Sequence, residues 1–206
     1  MSDVTDRKEK RAHIYQRDDL DWYVEPDSVS TALFRVERFI GDIYDPACGC
    51  GNIVRSAIAA GYGAYGSDIK RRTNESWFTT EIDFLTTQFA SGSFVNIVTN
   101  PPFYRGSGTE AFIRRALEFS AAKVCVFTSI KFLAGDRRAN GLFADYPPSR
   151  VWILTPRPSC PPGEWIAAGN KAGGGTDDWC WITWDRLSPS KETRLGWLST
   201  KAPADE

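Results

Sequence analysis

Asp45-Pro46-Ala47-Cys48-Gly49-Cys50-Gly51-Asn52 sits between an apolar, strand-like run at 42–46 and a helical pattern at 52–60 that stops at Gly61. Two glycines in a strand-to-helix turn let the backbone pass close to a ligand where a side chain would collide. A lone Gly-x-Gly is as readily an ordinary tight turn, but Asp-Pro-x-x-Gly-x-Gly directly after a strand is far more specific. The dinucleotide fingerprint is excluded because its third glycine is missing. An acid at position 45 suits a ligand carrying a positive ammonium group instead.

Outward from this turn the chain alternates between strand and helix. Upstream, Val29, Leu33, Val36 and Ile40 recur at helical spacing, with Asp27 placed to cap the start and Gly41 to end the helix. Downstream, strands are expected at 64–68, 94–99 and 123–128, with an amphipathic helix at 109–121. Two late strands follow at 151–154 and 180–184, separated by a Pro- and Gly-rich loop over 155–178. Strands alternating with helices imply a parallel sheet covered on both faces. The expected organisation is a polar N-terminal tail at 1–18, one domain at 19–190 and a C-terminal tail at 191–206, without internal repeats. Arg7, Lys8, Lys10, Arg11 and Arg17 make the first tail either a solubilising segment or a phosphate-contacting arm.

Two further signals fall at the expected carboxyl ends of strands, where open parallel sheets bind ligands. Asp68, closing Gly66-Ser67-Asp68-Ile69, can accept from both hydroxyls of a ribose, or it can simply cap a helix. Asp83 and Phe84 in the next connection can bind and pack on an adenine, with core packing an equal alternative for Phe84. Asn100-Pro101-Pro102-Phe103 follows the strand-like FVNIVT. Prolines cannot continue a central strand, so the chain turns there. The stiffened turn leaves the Asn100 side-chain oxygen and the Pro101 carbonyl to clamp an NH2 group, and Phe103 to stack on the planar base that bears it.

Composition narrows the class. The chain has 206 residues, 42% of them hydrophobic and 13% aromatic, which suits one folded α/β domain. Lys and Arg total 25 against 26 Asp and Glu, a net charge of -1. A duplex-coating protein would be clearly basic, so any nucleic-acid contact must come from a local patch. Five cysteines (Cys48, Cys50, Cys125, Cys160, Cys180) without Cys-x-x-Cys spacing, and a single histidine, His13, argue against a structural zinc or a disulfide framework. No apolar run approaches membrane-spanning length and the N-terminus is charged rather than signal-like, so a cytoplasmic protein is expected.

The motifs DPACGCGN (45–52) and NPPF (100–103) resemble those of the class I S-adenosylmethionine-dependent amino-methyltransferases, above all the N6-adenine methyltransferases of DNA. The resemblance covers roughly residues 20 to 186 in the family's gamma-like motif order. It implies a Rossmann-like fold with a mostly parallel seven-stranded sheet, helices on both faces and an antiparallel last strand. It also implies that S-adenosylmethionine is held by Asp45, Ala47 and Gly49, with Asp68 on its ribose and Asp83 and Phe84 on its adenine. Asp21-Trp22-Tyr23-Val24-Glu25-Pro26 resembles the family's N-terminal cofactor motif, in which Tyr23, Glu25 and Pro26 would close over the methionine moiety. Asn100, which would also touch the cofactor, Pro101, Pro102 and Phe103 would form the catalytic turn.

Substrate contacts are expected from Phe103, Arg157, Trp165, Lys131 and Arg138, with solvated surface the alternative reading for all but Phe103. The implied partner is nucleic acid, DNA first and RNA second, with no metal, no membrane and the oligomeric state open. DNA-modifying members usually add a target-recognition domain, for which 206 residues leave no room. Rival readings are an RNA adenine-N6 or guanine-N2 methyltransferase, a protein glutamine N5-methyltransferase, which usually has Tyr in the fourth motif position, and a cofactor-binding remnant without activity. Methyl transfer from a sulfonium needs no metal and no covalent intermediate, so positioning dominates the barrier. A duplex substrate would require base flipping.

Overall fold

A computed structural model describes residues 20–202. The N-terminal charges from Arg7 to Arg17 and His13 lie outside the described residues. The chain runs α1 (Asp27–Val36), β1 (Ile43–Asp45), α2 (Asn52–Ala59), β2 (Ala64–Asp68), β3 (Phe78–Glu81), β4 (Phe94–Thr99), α3 (Ser107–Phe119) and β5 (Ser120–Ser129). The short helices α4 (Asp136–Ala139) and α5 (Leu142–Asp145) lead to β6 (Arg150–Thr155), α6 (Gly163–Ala167), β7 (Trp179–Asp185) and β8 (Arg194–Ser199).

One sheet takes the order β3-β2-β1-β4-β5-β7-β6-β8. Its strands are parallel except β7, which runs antiparallel between β5 and β6. Alternate residues of the central strands enter different cores. Tyr44, Ile97, Val124 and Val126 pack in the layer of α3, while Ile43, Val98, Cys125 and Phe127 pack in the layer of α1 and α2. Burial on both faces is why these strands read as continuous apolar runs rather than alternating ones. Strand order reverses between β1 and β4, so the chain leaves both strands at a common crevice beyond their carboxyl ends.

The architecture departs from the sequence expectations in four places. The sheet has eight strands rather than seven, and β8 occupies the stretch expected to be a C-terminal tail. It pairs in parallel with β6 along its full length, and Arg35 of α1 fastens its end by donating to the carbonyls of Ser199 at 2.5 Å and Lys201 at 3.0 Å. Second, α1 ends at Val36, four residues before Ile40. Glu37 leaves the helix to bury its carboxylate among Lys123, Arg150 and Trp152, so Val36 and Ile40 are exposed despite their helical spacing.

Third, β3 is a strand that the sequence pattern does not announce; only Phe78 of its four residues is buried, so it carries little apolar signal. Fourth, the 155–178 loop contains α6, and Tyr23 forms an antiparallel bridge with Pro162. Among the described residues no helix is long and apolar enough to cross a membrane.

Candidate active site

The crevice holds an open cavity of about 950 Å³, counted to its mouth. Its walls come from the segment before α1, the β1–α2 turn, the ends of β2 and β3, and the turn after β4. The β1–α2 turn is held by its own side chain: Asp45 Oδ1 accepts from Ala47 N at 3.1 Å. Gly49 and Gly51 both take positive φ, of 52° and 87°. The close neighbours that exclude a side chain at these positions belong to the protein. A Cβ on Gly49 would stand 2.8 Å from Trp22 Nε1, and one on Gly51 would collide with the Trp77 ring.

Asp68, at the end of β2, accepts from Gly49 N at 2.8 Å through Oδ2, and from Lys70 N at 3.1 Å and Arg72 at 2.6 Å through Oδ1. Arg72 lies under the Trp22 ring, 4.4 Å from its centroid.

The turn after β4 meets the segment before α1 at Asn100. Its Nδ2 donates to the Tyr23 carbonyl at 2.9 Å and to Glu25 Oε2 at 2.6 Å, while its Oδ1 is buried without a partner. The Tyr23 carbonyl is steadied by the loop that follows β6: Val24 N donates to Pro161 O at 2.9 Å, and Gly163 N to Trp22 O at 2.7 Å. Asn52, at the start of α2, donates to the Glu25 carbonyl at 2.6 Å.

Two buried carboxyls therefore face the cavity without an ion-pair partner among the described residues. Burial pushes Glu25 up to about 7, the Asn100 hydrogen bond pulling only partly the other way. Burial also raises Asp45 well above the usual carboxylate range, and the neighbouring charges of Glu25 and Asp68 add to the effect. Such a wall favours a cationic ligand, since each carboxyl gains a counter-charge on ionising. Cys48 and Cys50 also line the cavity, but burial raises both thiols, which disfavours a thiolate nucleophile.

Of the residues singled out from sequence, Tyr23, Glu25, Asp45, Ala47, Gly49, Asp68, Asp83, Phe84, Asn100 and Pro102 line the cavity. Asp83 spends one oxygen on Leu85 N at 2.8 Å, and Phe84 is also part of the core, only 1% exposed. Pro26 serves instead as N-cap of α1, and Pro101 is buried outside the lining. Phe103 packs between Tyr23 and Trp179, at ring separations of 5.9 and 5.6 Å. The aromatic that follows it, Tyr104, lines the cavity at a positive φ of 36°, a strained conformation for a non-glycine residue.

The expected substrate contacts are scattered. Lys131 pairs with Asp177 at 2.8 Å and Arg157 with Asp178 at 2.6 Å, both at the solvent-exposed surface. Trp165 donates to the Lys171 carbonyl within its own loop. Arg138 stacks over Phe132 and donates to its carbonyl, but its guanidinium also lies beside Gly106, in the turn that continues NPPF. Trp22, Asn52, Ile69, Arg72 and Tyr104 also line the cavity, and sequence reasoning misses all five. Trp22 and Asn52 fall inside the quoted stretches 21–26 and 45–52, a signal that could have found them.

No protein-family model and no curated protein sequence matches this chain significantly. Solved structures do match. One is a modification subunit of a putative type I restriction enzyme from Vibrio vulnificus, with a TM-score of 0.56 and 14% identity, covering 89% of this chain and 48% of that one. The fold is that of the S-adenosylmethionine-dependent methyltransferases. A second match with the same fold is phosphoethanolamine N-methyltransferase 2 of Haemonchus contortus, in complex with phosphomonomethylethanolamine and S-adenosylhomocysteine. It has a TM-score of 0.51 and 11% identity, covering 80% of this chain and 52% of that one. The chain thus spans about half the length of each of these structures. Among the described residues no group of three His, Cys, Asp or Glu side chains is placed to hold a metal ion.

Proposed function

We propose that this chain is an S-adenosylmethionine-dependent N-methyltransferase acting on the exocyclic N6 amine of adenine in DNA. The observation that carries the proposal is the Asn100 amide: its NH2 is committed to Tyr23 and Glu25, and its oxygen is a buried acceptor with no partner. A buried acceptor without a donor is costly, and Asn100 lines the cavity, so its orphaned oxygen invites an N–H from a ligand. An exocyclic amine supplies one.

The cavity also suits the methyl donor. Its carboxyls at 25 and 45 would face the positive charges of the methionine portion, and Asp68 and Asp83 would take the ribose and adenine. When bound, the cofactor supplies a sulfonium methyl group that is already electrophilic. The protein's part is positional. Asn100 Oδ1 would accept from the target amine, orient its lone pair and stabilise the positive charge that develops on nitrogen. Pro101 and Pro102 stiffen the turn that presents it. Tyr104 and Pro102, rather than Phe103, are the turn residues that line the cavity and could flank the base.

The DNA assignment draws on the NPPF motif and on the fold shared with the Vibrio modification subunit. Labelled S-adenosylmethionine should transfer methyl groups to unmethylated duplex or single-stranded DNA, and nucleoside mass analysis should find N6-methyladenine. Asn100→Ala should cost at least about a hundredfold in turnover while still binding S-adenosylhomocysteine. Label confined to ribosomal RNA would move the same site to RNA, and label confined to protein would move it to side-chain amides.

A further inference from the structure

An asparagine amide has two orientations of nearly the same shape, and here one of them places Nδ2 on two acceptors and leaves Oδ1 without a partner. Nothing in Asn100 itself selects between them. We propose that Glu25 is a positioning residue that sets the Asn100 amide, retaining its NH2 on the protein side so that Oδ1 is the atom offered to the acceptor amine. The inference rests on the catalytic turn proposed above, and it gives Glu25 a role distinct from closing over the methionine moiety.

The two groups that meet Asn100 Nδ2 are a backbone carbonyl, at 2.9 Å, and the Glu25 carboxyl, at 2.6 Å, an acceptor only when ionised, as pairing with a ligand ammonium group would keep it. Both are acceptors, so a flipped amide would face them with a third acceptor and lose two hydrogen bonds. The carbonyl of Tyr23 is fixed by the bridge to Pro162. Glu25 is fixed independently: it is 6% exposed, its carbonyl accepts from Asn52 at 2.6 Å, and Pro26, the N-cap of α1, follows directly after it. A glutamine at 25 would keep the shape but not the instruction, because its amide can accept from Asn100 Nδ2 or donate to Asn100 Oδ1.

The test is a pair of substitutions with two readouts. Asn100→Asp should lose at least about a hundredfold in turnover, since its carboxylate has no proton for either acceptor. Glu25→Gln should lower kcat at saturating S-adenosylmethionine by about tenfold, roughly one hydrogen bond to a charged group. The double variant Glu25→Gln/Asn100→Asp should recover about tenfold over Asn100→Asp. In that pair the introduced glutamine amide can donate to one oxygen at position 100 and leave the other facing the cavity.

The second readout needs no activity. In protein labelled with 15N-asparagine, the side-chain NH2 of Asn100, identified by its disappearance in Asn100→Asp, should be protected from hydrogen exchange and should lose that protection in Glu25→Gln. Unchanged kcat in Glu25→Gln, a double variant no better than Asn100→Asp, or unchanged exchange protection would each overturn the proposal. Absence of methyl transfer by the wild-type chain would sink the proposed function, while the exchange experiment would still decide the orientation of the amide.

Discussion

Arg72 and Asp68 form an ion pair of 2.6 Å in the cavity wall, with 7% and 8% of their side-chain surfaces exposed. Asp68 has three donors, from Gly49, Lys70 and Arg72, whereas the Nε–H of Arg72 is buried with no acceptor. The pair is therefore satisfied on its acidic side and incomplete on its basic side. A ligand hydroxyl could complete it by accepting from Arg72 while donating to Asp68.

Removing one member should expose how much the pair matters. Asp68→Ala leaves a guanidinium buried without its counter-charge, which should cost about 3–5 kcal/mol in urea denaturation. It should also weaken S-adenosylhomocysteine binding by about tenfold or more. Asp68→Ala/Arg72→Met should regain part of the stability and none of the affinity. If Arg72→Met alone binds S-adenosylhomocysteine as wild type does, Arg72 is a counter-ion only.

The pH dependence follows from Glu25. Burial holds its carboxyl at about 7, against an ordinary 4.5, with Asp45, Asp27 and Arg55 as the charged neighbours. For a raised carboxyl the stability contribution is complete below pH 4.5 and declines as pH rises through 7, when the buried group must ionise. A ligand ammonium group reverses the balance by pairing with the carboxylate. The affinity for S-adenosylhomocysteine should accordingly rise between about pH 6 and 8, by roughly tenfold at most per unit below about 7, and titration calorimetry should show a flatter profile for Glu25→Gln. Affinity that falls over that range would contradict the assignment.

The glycine turn makes a different kind of prediction. Gly51 sits at φ 87° with the Trp77 ring where a Cβ would be. Gly51→Ala should cost about 1–2 kcal/mol for the left-handed backbone alone, and more for the collision. Trp77→Ala in the same chain should return part of the second contribution and none of the first. Denaturation midpoints of the two single variants and the double variant separate the effects; additive losses would mean that the ring simply moves aside.

The legible parts of this protein are those where local chemistry leaves one solution. Prolines at 101 and 102 must end a central strand, and glycines at 49 and 51 between an apolar run and a helix must form a turn, so both cavity walls can be placed from the residues alone. Phe103 is harder. An aromatic beside a reactive turn suggests a base platform, but Tyr23 and Trp179 come from distant segments and enclose it, leaving Tyr104 at the cavity. Strand β8 is hidden because its apolar residues are divided: Leu198 is buried, while Leu195 and Trp197 point outward at 54% and 70% exposure. The long loop reads as a substrate-binding element because nothing local shows that Pro161 and Gly163 bind the backbone of residues 22–24.

Glu37 is the least legible residue and should be among the most consequential for stability. Its helical spacing places it on α1, but the charges that draw it out lie more than 80 residues away, on β5 and β6. It is 2% exposed and accepts from Lys123 at 2.8 Å, from Arg150 at 2.5 and 2.9 Å, and from Trp152 at 2.9 Å. Burial works to raise its carboxyl, but the hydrogen bonds from Arg150, Lys123 and Trp152 outweigh it and hold the group below its usual value. Glu37→Ala should therefore cost about 3–5 kcal/mol in urea, because it strands two cations with only Asp185 to share. A depressed carboxyl contributes stability above its ordinary value and loses it as acid protonates the folded form. The gap between wild type and Glu37→Ala should thus narrow as pH falls below 4.5. Lys123 and Arg150 sit near the amino ends of their strands, opposite the cavity, so S-adenosylhomocysteine affinity should stay at the wild-type level wherever the variant is folded. A loss of affinity without a loss of stability would show that the two ends of the sheet are coupled.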